Sequence, residues 1–131
     1  MTKSKNECFF CSRAKQESIY SSDFTFVVRD NKFPVTKHHT LIATHRHVAD
    51  FFDLNNEELS DLSNVLKKQR QLLLKLDKEI TGFNVGVNAG IDAGQSIMHC
   101  HIHLIPRRKG DIENPRGGVR GVIPSKQKYI K

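Results

Sequence analysis

The segment IMHCHIHLIP, residues 97–106, places three histidines at alternating positions. Successive side chains of a β-strand point to opposite faces, so His99, His101 and His103 would share one face. The residues between and around them favour a core: Met98, Cys100, Ile102 and Leu104. This pattern predicts a strand with one buried face and one open, histidine-lined face. Pro106 is predicted to end the strand, because proline cannot donate a ladder hydrogen bond.

Four further strands are predicted around this segment. A turn cluster at residues 21–23 separates two short strands, and residues 39–44 (HTLIAT) form a third. Residues 83–90 (FNVGVNAG) are predicted to form a strand that leads into a glycine-rich loop. Together with one helix they indicate an α+β fold: an antiparallel sheet with one main helix and an extended C-terminal tail, residues 107–131.

The main helix is predicted over about residues 56–80. Its apolar residues recur at helical spacing and are interpreted as a stripe that faces the core: Leu59, Leu62, Val65, Leu66, Leu72, Leu73, Leu76 and Ile80. Asn55 followed by Glu58 resembles a capping box that starts the helix. Gly82 is predicted to stop it.

Length and composition fit a single domain over residues 1–131. Hydrophobic residues make up 37% and charged residues 27%, which is an ordinary globular balance. No apolar run approaches the roughly 18 residues that suggest a membrane span. The N-terminus lacks the apolar stretch of a signal peptide. We therefore expect a cytoplasmic protein with no membrane partner.

The net charge of +7 is concentrated in the C-terminal tail. The tail carries eight Lys or Arg residues against two acidic residues, which accounts for +6. It is either a solvated basic segment or a surface that faces phosphates or nucleic acid. Because Tyr129 is its only aromatic residue, a base-stacking platform is poorly supported, and nucleic acid is the least supported partner.

Two chemistries are open for the histidine face. Two nitrogens of a His-x-His pair can bind one metal ion. Alternatively, one neutral imidazole acts as a nucleophile while its neighbours donate hydrogen bonds. Phosphorus is a natural target, because the phosphoramidate that forms is labile to water. The glycine-rich loop at residues 88–96 would bring backbone N–H groups close to phosphate oxygens.

Cys8 and Cys11 form a second candidate site, a Cys-x-x-Cys motif. Three cysteines cannot form a closed disulfide framework, which in a reducing compartment favours metal ligands or redox thiols. A redox pair would need the N-terminus of a following helix, and no helix is obvious after Cys11. A zinc site would need two more ligands.

The sequence HCHIHLI resembles the His-φ-His-φ-His-φ-φ signature of the histidine triad (HIT) superfamily, in which φ is apolar. GFNVGVNAGIDAGQSIMHCHIHLIPRR resembles the family from a strand through the loop to the triad, and residues 27–59 resemble its N-terminal half. The tail is similar to that of a bacterial, zinc-containing branch of nucleotide hydrolases. The resemblance implies a HIT-like fold over nearly the whole chain, and a homodimer.

For the site, the resemblance implies a nucleotide hydrolase or transferase that cleaves at the α-phosphate. His101 matches the nucleophile that forms a nucleotidyl-histidine intermediate, and His103 matches a phosphate-contacting histidine. Gln95 and Ser96 match catalytic residues near the phosphate and the leaving group, with the Gln95 carboxamide as a hydrogen-bond donor. The other matches are assigned to substrate binding: Asn31 and His39 in the nucleotide pocket, Asn88 at the phosphate, and Gly94.

In the zinc-containing branch, a Cys-x-x-Cys near the N-terminus joins two histidines around a structural zinc. The resemblance therefore implies four ligands: Cys8, Cys11, His47 and His99. His45 is the rival of His47, and thiols that bind no metal are the alternative. A closed four-ligand site has no open position for a catalytic water. Zinc would therefore be structural and would pin the N-terminal segment, residues 1–17, to the sheet beside the triad.

The leading hypothesis is an enzyme that acts on purine nucleotides, with dinucleoside polyphosphates of the diadenosine tetraphosphate type as substrates. The alternatives are a purine nucleoside phosphoramidase, a nucleotide-binding regulatory module with little turnover, and a zinc-dependent hydrolase that uses the triad as ligands. His38 stands where many relatives have glycine, which puts the geometry of that turn in question.

Overall fold

The histidine strand lies inside a five-stranded antiparallel sheet in the computed structural model, which describes residues 8–129. The strands are β1 (Tyr20–Ser21), β2 (Thr25–Arg29), β3 (Thr40–Thr44), β4 (Ile80–Val87) and β5 (His101–Arg108), in the order β1-β2-β3-β5-β4. The helices are α1 (Arg13–Gln16) and α2 (Asn56–Leu76). Short 3₁₀ turns occur at Phe51–Asp53, Ile91–Ala93, Gly118–Val122 and Pro124–Lys126. This architecture confirms the predicted α+β fold.

The two faces of the sheet are covered by different parts of the chain. Helix α2 packs on one face and encloses a core formed by Val27, Ile42, Val48, Leu54, Leu62, Val65, Cys100 and Ile102. The N-terminal segment packs on the other face, where a second cluster contains Cys8, Phe10, Ala14, Phe26, Val28, Leu41 and Ala43. Strands covered on both faces are buried at nearly every position, as β2 and β3 are. The predicted open face is therefore partly covered.

Helix α2 begins where predicted but ends earlier. Asn55 and Glu58 form the predicted capping box, since each side chain accepts a hydrogen bond from the backbone N–H group of the other. The helix ends at Leu76, so the predicted end near residues 80–82 is wrong. Asp77 caps it and bonds the guanidinium group of Arg108 at 2.8 Å. This ion pair fixes the turn from which the chain enters β4.

Several residues of the predicted helical stripe do not belong to the core that α2 covers. Ile80 is buried in β4, where it packs with Leu73 and Leu104, and Gly82 lies in the same strand beside a register shift. The outer members of the predicted stripe are exposed: Leu59, Leu72 and Leu76. The apolar stripe of α2 is therefore narrower than its sequence suggests.

Pro106 does not end the histidine strand, because β5 continues to Arg108. The carbonyl of Pro106 accepts a hydrogen bond from the Thr36 hydroxyl at 2.6 Å, on the side of β5 that faces β3. The N–H and C=O groups of one strand residue point the same way, so the missing N–H of Pro106 would also face that side. Strand β3 begins at Thr40, opposite Leu104, so no ladder bond is lost at Pro106.

The sequence left open whether His38 could adopt the backbone conformation that the turn before β3 requires. His38 has φ of 72°, in the left-handed region that glycine adopts with the least strain. Histidine is enriched among the non-glycine residues in this region. The turn is closed by the N–H group of His39, which donates to the Thr36 carbonyl at 3.1 Å. His38 therefore adopts a backbone conformation for which glycine is best suited.

The C-terminal tail is partly folded rather than extended throughout. Arg120 donates hydrogen bonds to the carbonyls of Lys126 and Gln127, which closes the two 3₁₀ turns on each other. Gly117 has φ of 93°, and a Cβ atom there would lie 1.9 Å from the Gln127 carbonyl oxygen, so this position requires glycine. No helix within residues 8–129 is long and apolar enough to cross a membrane.

Much of the predicted basic surface of the tail is neutralised or engaged within the protein. Arg107 forms two hydrogen bonds with the carboxylate of Asp111, both 2.8 Å long. The guanidinium groups of Arg116 and Arg120 lie 5.3 and 5.1 Å from the ring centroid of Tyr129. These contacts favour the interpretation of the tail as a solvated, self-contained segment.

Replacing Glu58 by Gln is expected to lower the free energy of unfolding by about 1–2 kcal/mol at pH 7. The carboxylate accepts hydrogen bonds from Arg46 at 2.7 and 3.1 Å, and these bonds lower the pKa of Glu58. Its contribution is therefore complete above the unfolded pKa of roughly 4.3 and is lost as the pH falls through the lower folded pKa. Urea unfolding at pH 7 and pH 3 measures the difference.

The difference between the wild type and Glu58→Gln should be smaller at pH 3 than at pH 7. Glu57→Gln, on the exposed side of the same helical turn, is the matched control and should change stability by no more than about 0.5 kcal/mol. An equal difference at both pH values would contradict the role given to the Glu58 charge.

Candidate active site and metal centre

The His101 side chain is held by the backbone of the residue two positions before it. Its Nδ1 atom lies 2.8 Å from the carbonyl oxygen of His99. A carbonyl only accepts hydrogen bonds, so Nδ1 carries the proton, and in the neutral ring Nε2 keeps a lone pair. Burial lowers the pKa of His101 below its ordinary value, which favours this neutral form. The ring therefore offers a nucleophilic nitrogen.

A chain of hydrogen bonds fixes the proton of His103 on the opposite nitrogen. The backbone N–H of Val35 donates to Nδ1 of His39 at 3.0 Å, so the proton of neutral His39 lies on Nε2. That Nε2–H group donates to Nδ1 of His103 at 2.9 Å. His103 consequently carries its own proton on Nε2. Burial, with the neighbouring histidines, lowers the pKa of His103 to about 4, so the ring is neutral at pH 7.

His101 and His103 thus form a complementary pair. Their ring centroids are 5.3 Å apart, and both side chains are half-buried. One ring presents a lone pair on Nε2 and the other presents an N–H group. Gly86 of β4 pairs with His103 and has no side chain, and the space above it is open. The pair is suited to attack an electrophile and to hydrogen-bond an oxygen attached to it.

The position of His39 differs from the one that its predicted role requires. It was expected to line the nucleotide pocket, but its side chain is only 2% exposed and is occupied by Val35 and His103. The carboxylate of Asp30 lies 3.9 Å from its Nδ1 atom. Burial outweighs this neighbour and lowers the pKa of His39. His39 therefore supports His103 from beneath.

Gln95 also differs from the expectation that its carboxamide donates to phosphate. Its Nε2 atom donates to the carbonyls of Ala49 and Ile97, at 2.8 and 3.2 Å, and its Oε1 atom accepts from the Gly90 N–H group at 2.9 Å. Both N–H groups of the buried carboxamide are therefore engaged. Gln95 holds the two ends of the glycine-rich loop together before β5.

The other predicted substrate-binding residues lie at more open positions. Ser96, Gly94 and Asn31 are exposed, and Asn88 is half-buried directly after β4. Gly90 and Gly94 have φ of 102° and 96°, so the loop makes the backbone turns for which glycine is suited. The loop thus presents Ser96 and backbone groups beside the start of the triad.

Four side chains converge behind the triad: Cys8, Cys11, His47 and His99. One potential ligand atom from each lies within 4.8 Å of all the others, and these four residues can hold a metal ion. The Nδ1 atom of His47 is 3.1 Å from the Cys11 sulfur and 3.2 Å from Nδ1 of His99. Two thiolates and two imidazoles are a donor set typical of structural zinc. The structure brings together the four predicted ligands.

The tautomer of His99 suits metal binding. Its Nε2 atom donates to the carbonyl of Thr44 at 2.7 Å, so Nδ1, which faces the two cysteines, is left with its lone pair. A histidine ligand commonly donates its other N–H group to a backbone carbonyl in this way. Burial lowers the pKa of His99 to about 4, which keeps the ring in the neutral form that a metal requires.

The rival ligand His45 is turned away from this cluster. Its Nε2 atom contacts the Ser22 carbonyl at 2.9 Å, and its ring stacks on Phe26. The expectation that no helix follows Cys11 is wrong, because helix α1 begins at Arg13. Helix α1 has only four residues, and the four converging side chains favour metal binding over a redox thiol pair.

The sequence gives no direct signal for some residues on which the site depends. Thr44 and Val35 act through a backbone carbonyl and a backbone N–H group, which any residue would supply. The sequence places Phe9 and Phe10 between the two cysteines, but no spacing rule connects these aromatic residues with the triad.

The HIT domain family model matches residues 12–110. The nitrilase and fragile histidine triad fusion protein NitFhit of Caenorhabditis elegans is 41% identical over 93 residues, 71% of this chain and 21% of that protein. The asymmetrical bis(5'-nucleosyl)-tetraphosphatase of Schizosaccharomyces pombe is 37% identical over 81 residues, 62% of this chain and 44% of that protein. This chain therefore spans less than half the length of these two relatives.

A zinc-bound histidine triad family protein from Mycobacterium smegmatis has a similar structure. The two superpose with a TM-score of 0.75 at 26% sequence identity, over 85% of this chain and 82% of the other. The family match covers most of the chain, including the triad, and begins directly after the Cys-x-x-Cys motif. The chain belongs to the HIT domain family.

Proposed function

We propose that this protein is a nucleotidyl hydrolase or transferase that cleaves at the α-phosphate of dinucleoside polyphosphates. The observation that carries the proposal is the hydrogen bond from His101 Nδ1 to the His99 carbonyl, which leaves a lone pair on Nε2 of a neutral ring. The similarity to a bis(5'-nucleosyl)-tetraphosphatase supports the choice of substrate class. We extend the proposal to a single HIT domain over residues 1–131.

In the first step, Nε2 of His101 forms a bond to the α-phosphorus. The bond between that phosphorus and the bridging oxygen breaks, and the remaining nucleoside polyphosphate leaves with the electron pair. In the second step, water attacks the phosphorus and loses a proton, and the P–N bond breaks. A nucleoside monophosphate is released, and the lone pair returns to His101. The two steps replace one difficult displacement with two easier ones.

His103 and the loop supply hydrogen bonds to the reacting phosphate in this proposal. The Nε2–H group of His103 is fixed by His39 and can donate to a non-bridging oxygen as its charge increases. Ser96 and Asn88 are suited to contact the leaving group and the phosphate. Removal of one preorganised donor of this kind typically costs about 10²–10³ in rate.

Two alternatives share the same histidine pair. A purine nucleoside phosphoramidase would use the same attack by His101 with an amine as the leaving group. A nucleotide-binding module with little turnover would keep the pocket but not the reaction. We favour polyphosphates because a dinucleoside tetraphosphatase is among the relatives.

The Cys8, Cys11, His47 and His99 cluster is proposed to bind one zinc ion with a structural role. All four tetrahedral positions would be filled by side chains, so no coordination position remains for water or substrate. The zinc-bound neighbour supports this assignment. When bound, zinc would supply folding free energy, while the reaction is carried out by the histidine pair. We also propose that the protein is cytoplasmic and forms a homodimer.

Wild-type protein is expected to release AMP from diadenosine tetraphosphate, and His101→Ala is expected to release none while still binding AMP. The mutation removes the attacking nitrogen and leaves the loop and His103 in place. Chromatographic assay of AMP release, with adenosine phosphoramidate as a second substrate, measures the effect. Preference for the phosphoramidate would instead favour the phosphoramidase.

Two other outcomes would contradict the proposal. If the wild type binds AMP but releases none from either compound, the protein is a binding module. If chelation abolishes activity in a protein that stays folded, the reaction depends on the metal. Circular dichroism of the chelated protein separates that case from unfolding.

Purified wild-type protein is expected to contain one equivalent of zinc, and Cys8→Ser is expected to lose most of it, because three ligands bind zinc far more weakly than four. Cys100→Ala is the matched control, since Cys100 is also buried but lies in the other core, beneath α2. Elemental analysis measures the metal. One equivalent of zinc in Cys8→Ser would show that the ligand assignment is wrong.

A further inference from the structure

Phe10 lies between the two cysteines of the metal site and packs against His101. Its side chain is fully buried, with 0% exposure. Its ring centroid is 4.6 Å from that of His101, and the two planes are inclined by 29°, which is a stacked arrangement. The mechanism proposed above gives Phe10 no part. A phenyl ring on the face of a nucleophilic imidazole nevertheless restricts the motion of that imidazole.

The position of Phe10 is set by the loop that carries Cys8 and Cys11. The backbone N–H and the hydroxyl group of Ser12 both donate to the Cys8 carbonyl, at 3.2 and 2.8 Å. Phe9 packs its ring edge-on against Phe10 at 5.1 Å. With both thiols directed at the metal site, the phenyl ring has little freedom to move away from His101.

His101 is restrained from two sides as a result. The His99 carbonyl holds its Nδ1 edge, and Phe10 covers one face of its ring. Rotation about the Cβ–Cγ bond would break the hydrogen bond and turn Nε2 away from the phosphate. Because such rotation also has to displace a stacked, buried ring, Phe10 opposes it. Small errors in the placement of a reacting atom have large effects on rate, of order 10²-fold for about 1 Å.

We infer that Phe10 is a positioning residue that holds the His101 ring in its attacking orientation, and that the Cys8–Cys11 loop holds Phe10. The effect on turnover rests on the proposed function, whereas the effect on the ring does not. Phe10 contacts neither the metal nor the reacting phosphate. Its contribution should therefore appear in kcat and in the order of the His101 ring, with no loss of bound zinc.

The chain contains a matched control for this inference. Phe26 is also buried, belongs to the same apolar cluster, and stacks on a histidine, His45, with centroids 5.4 Å apart and planes inclined by 27°. His45 lies outside both the triad and the metal cluster. Replacing either phenylalanine by leucine removes one buried ring that is stacked on an imidazole. Phe10 also contacts the ring of His99, with centroids 5.6 Å apart, so the zinc content of Phe10→Leu reports on that second contact.

In the zinc-bound protein, Phe10→Leu is expected to lower kcat for AMP release by about 10- to 100-fold with KM changed by less than about threefold. Phe26→Leu is expected to leave kcat within about threefold of the wild type, with a comparable fall in Tm. Zinc content should remain at one equivalent in both. If Phe10→Leu is insoluble or loses zinc, Phe10→Met tests the same point, because it fills the volume without a flat ring.

Equal losses of kcat in the two variants, or no loss in Phe10→Leu, would overturn the inference.

An NMR measurement without substrate tests the positioning role of Phe10 separately from the proposed function. The ring protons of His101 should move to lower field in Phe10→Leu, since the ring current is lost, and its two nitrogens should show averaging between tautomers. If wild-type protein turns over no substrate but these changes occur, the proposed function fails and the positioning role stands. Unchanged nitrogen signals in Phe10→Leu would overturn the role itself.

Discussion

The hydrogen bond from His101 Nδ1 to the His99 carbonyl, 2.8 Å long, joins the two sites of this protein. The same residue, His99, directs its ring into the cluster of cysteines and His47, and its Nε2–H group bonds Thr44 of the neighbouring strand. The backbone at His99 is thereby fixed by its own side chain. Because its carbonyl selects the tautomer of His101, the geometry of the candidate metal cluster and that of the His101 ring are set together.

Burial favours the neutral form of four histidines in this network: His39, His99, His101 and His103. Burial lowers the pKa of His99 and of His103 to about 4, and it lowers the pKa of His39 as well. The backbone supplies the groups that decide where each single proton lies: the His99 and Thr44 carbonyls accept, and the Val35 N–H donates. Neutral rings with fixed tautomers are suited to act as a metal ligand, as the proposed nucleophile and as a hydrogen-bond donor.

The sequence was most informative where side-chain pattern alone decides the structure. The alternation around His101 predicted the strand, and the Asn55–Glu58 pair predicted the start of α2. His99 was expected on the open face of the strand, but β5 begins only at His101 and His99 is buried before it. The end of α2 could not be predicted, because it depends on the distant pairing of Asp77 with Arg108. The continuation of β5 through Pro106 depends on where β3 begins.

The same distinction applies to the site. The Cys-x-x-Cys pair and the alternating histidines follow from residue types, and the four-ligand set and the roles of the histidine pair follow from the family resemblance. The supporting contacts of Gln95 and His39 could not be predicted in this way, because each residue was expected to face the substrate. Only the fold shows that backbone and side-chain partners already engage both side chains. Tautomers likewise depend on long-range contacts that sequence spacing does not reveal.

The most direct test of this account is long-range ¹H–¹⁵N NMR of the imidazole nitrogens in the zinc-bound protein at pH 7. We expect His101 to carry its proton on Nδ1 and His103 to carry its proton on Nε2, in two neutral rings of opposite tautomer. A proton on Nε2 of His101 would occupy the nitrogen to which the attack is assigned and would contradict the proposed mechanism.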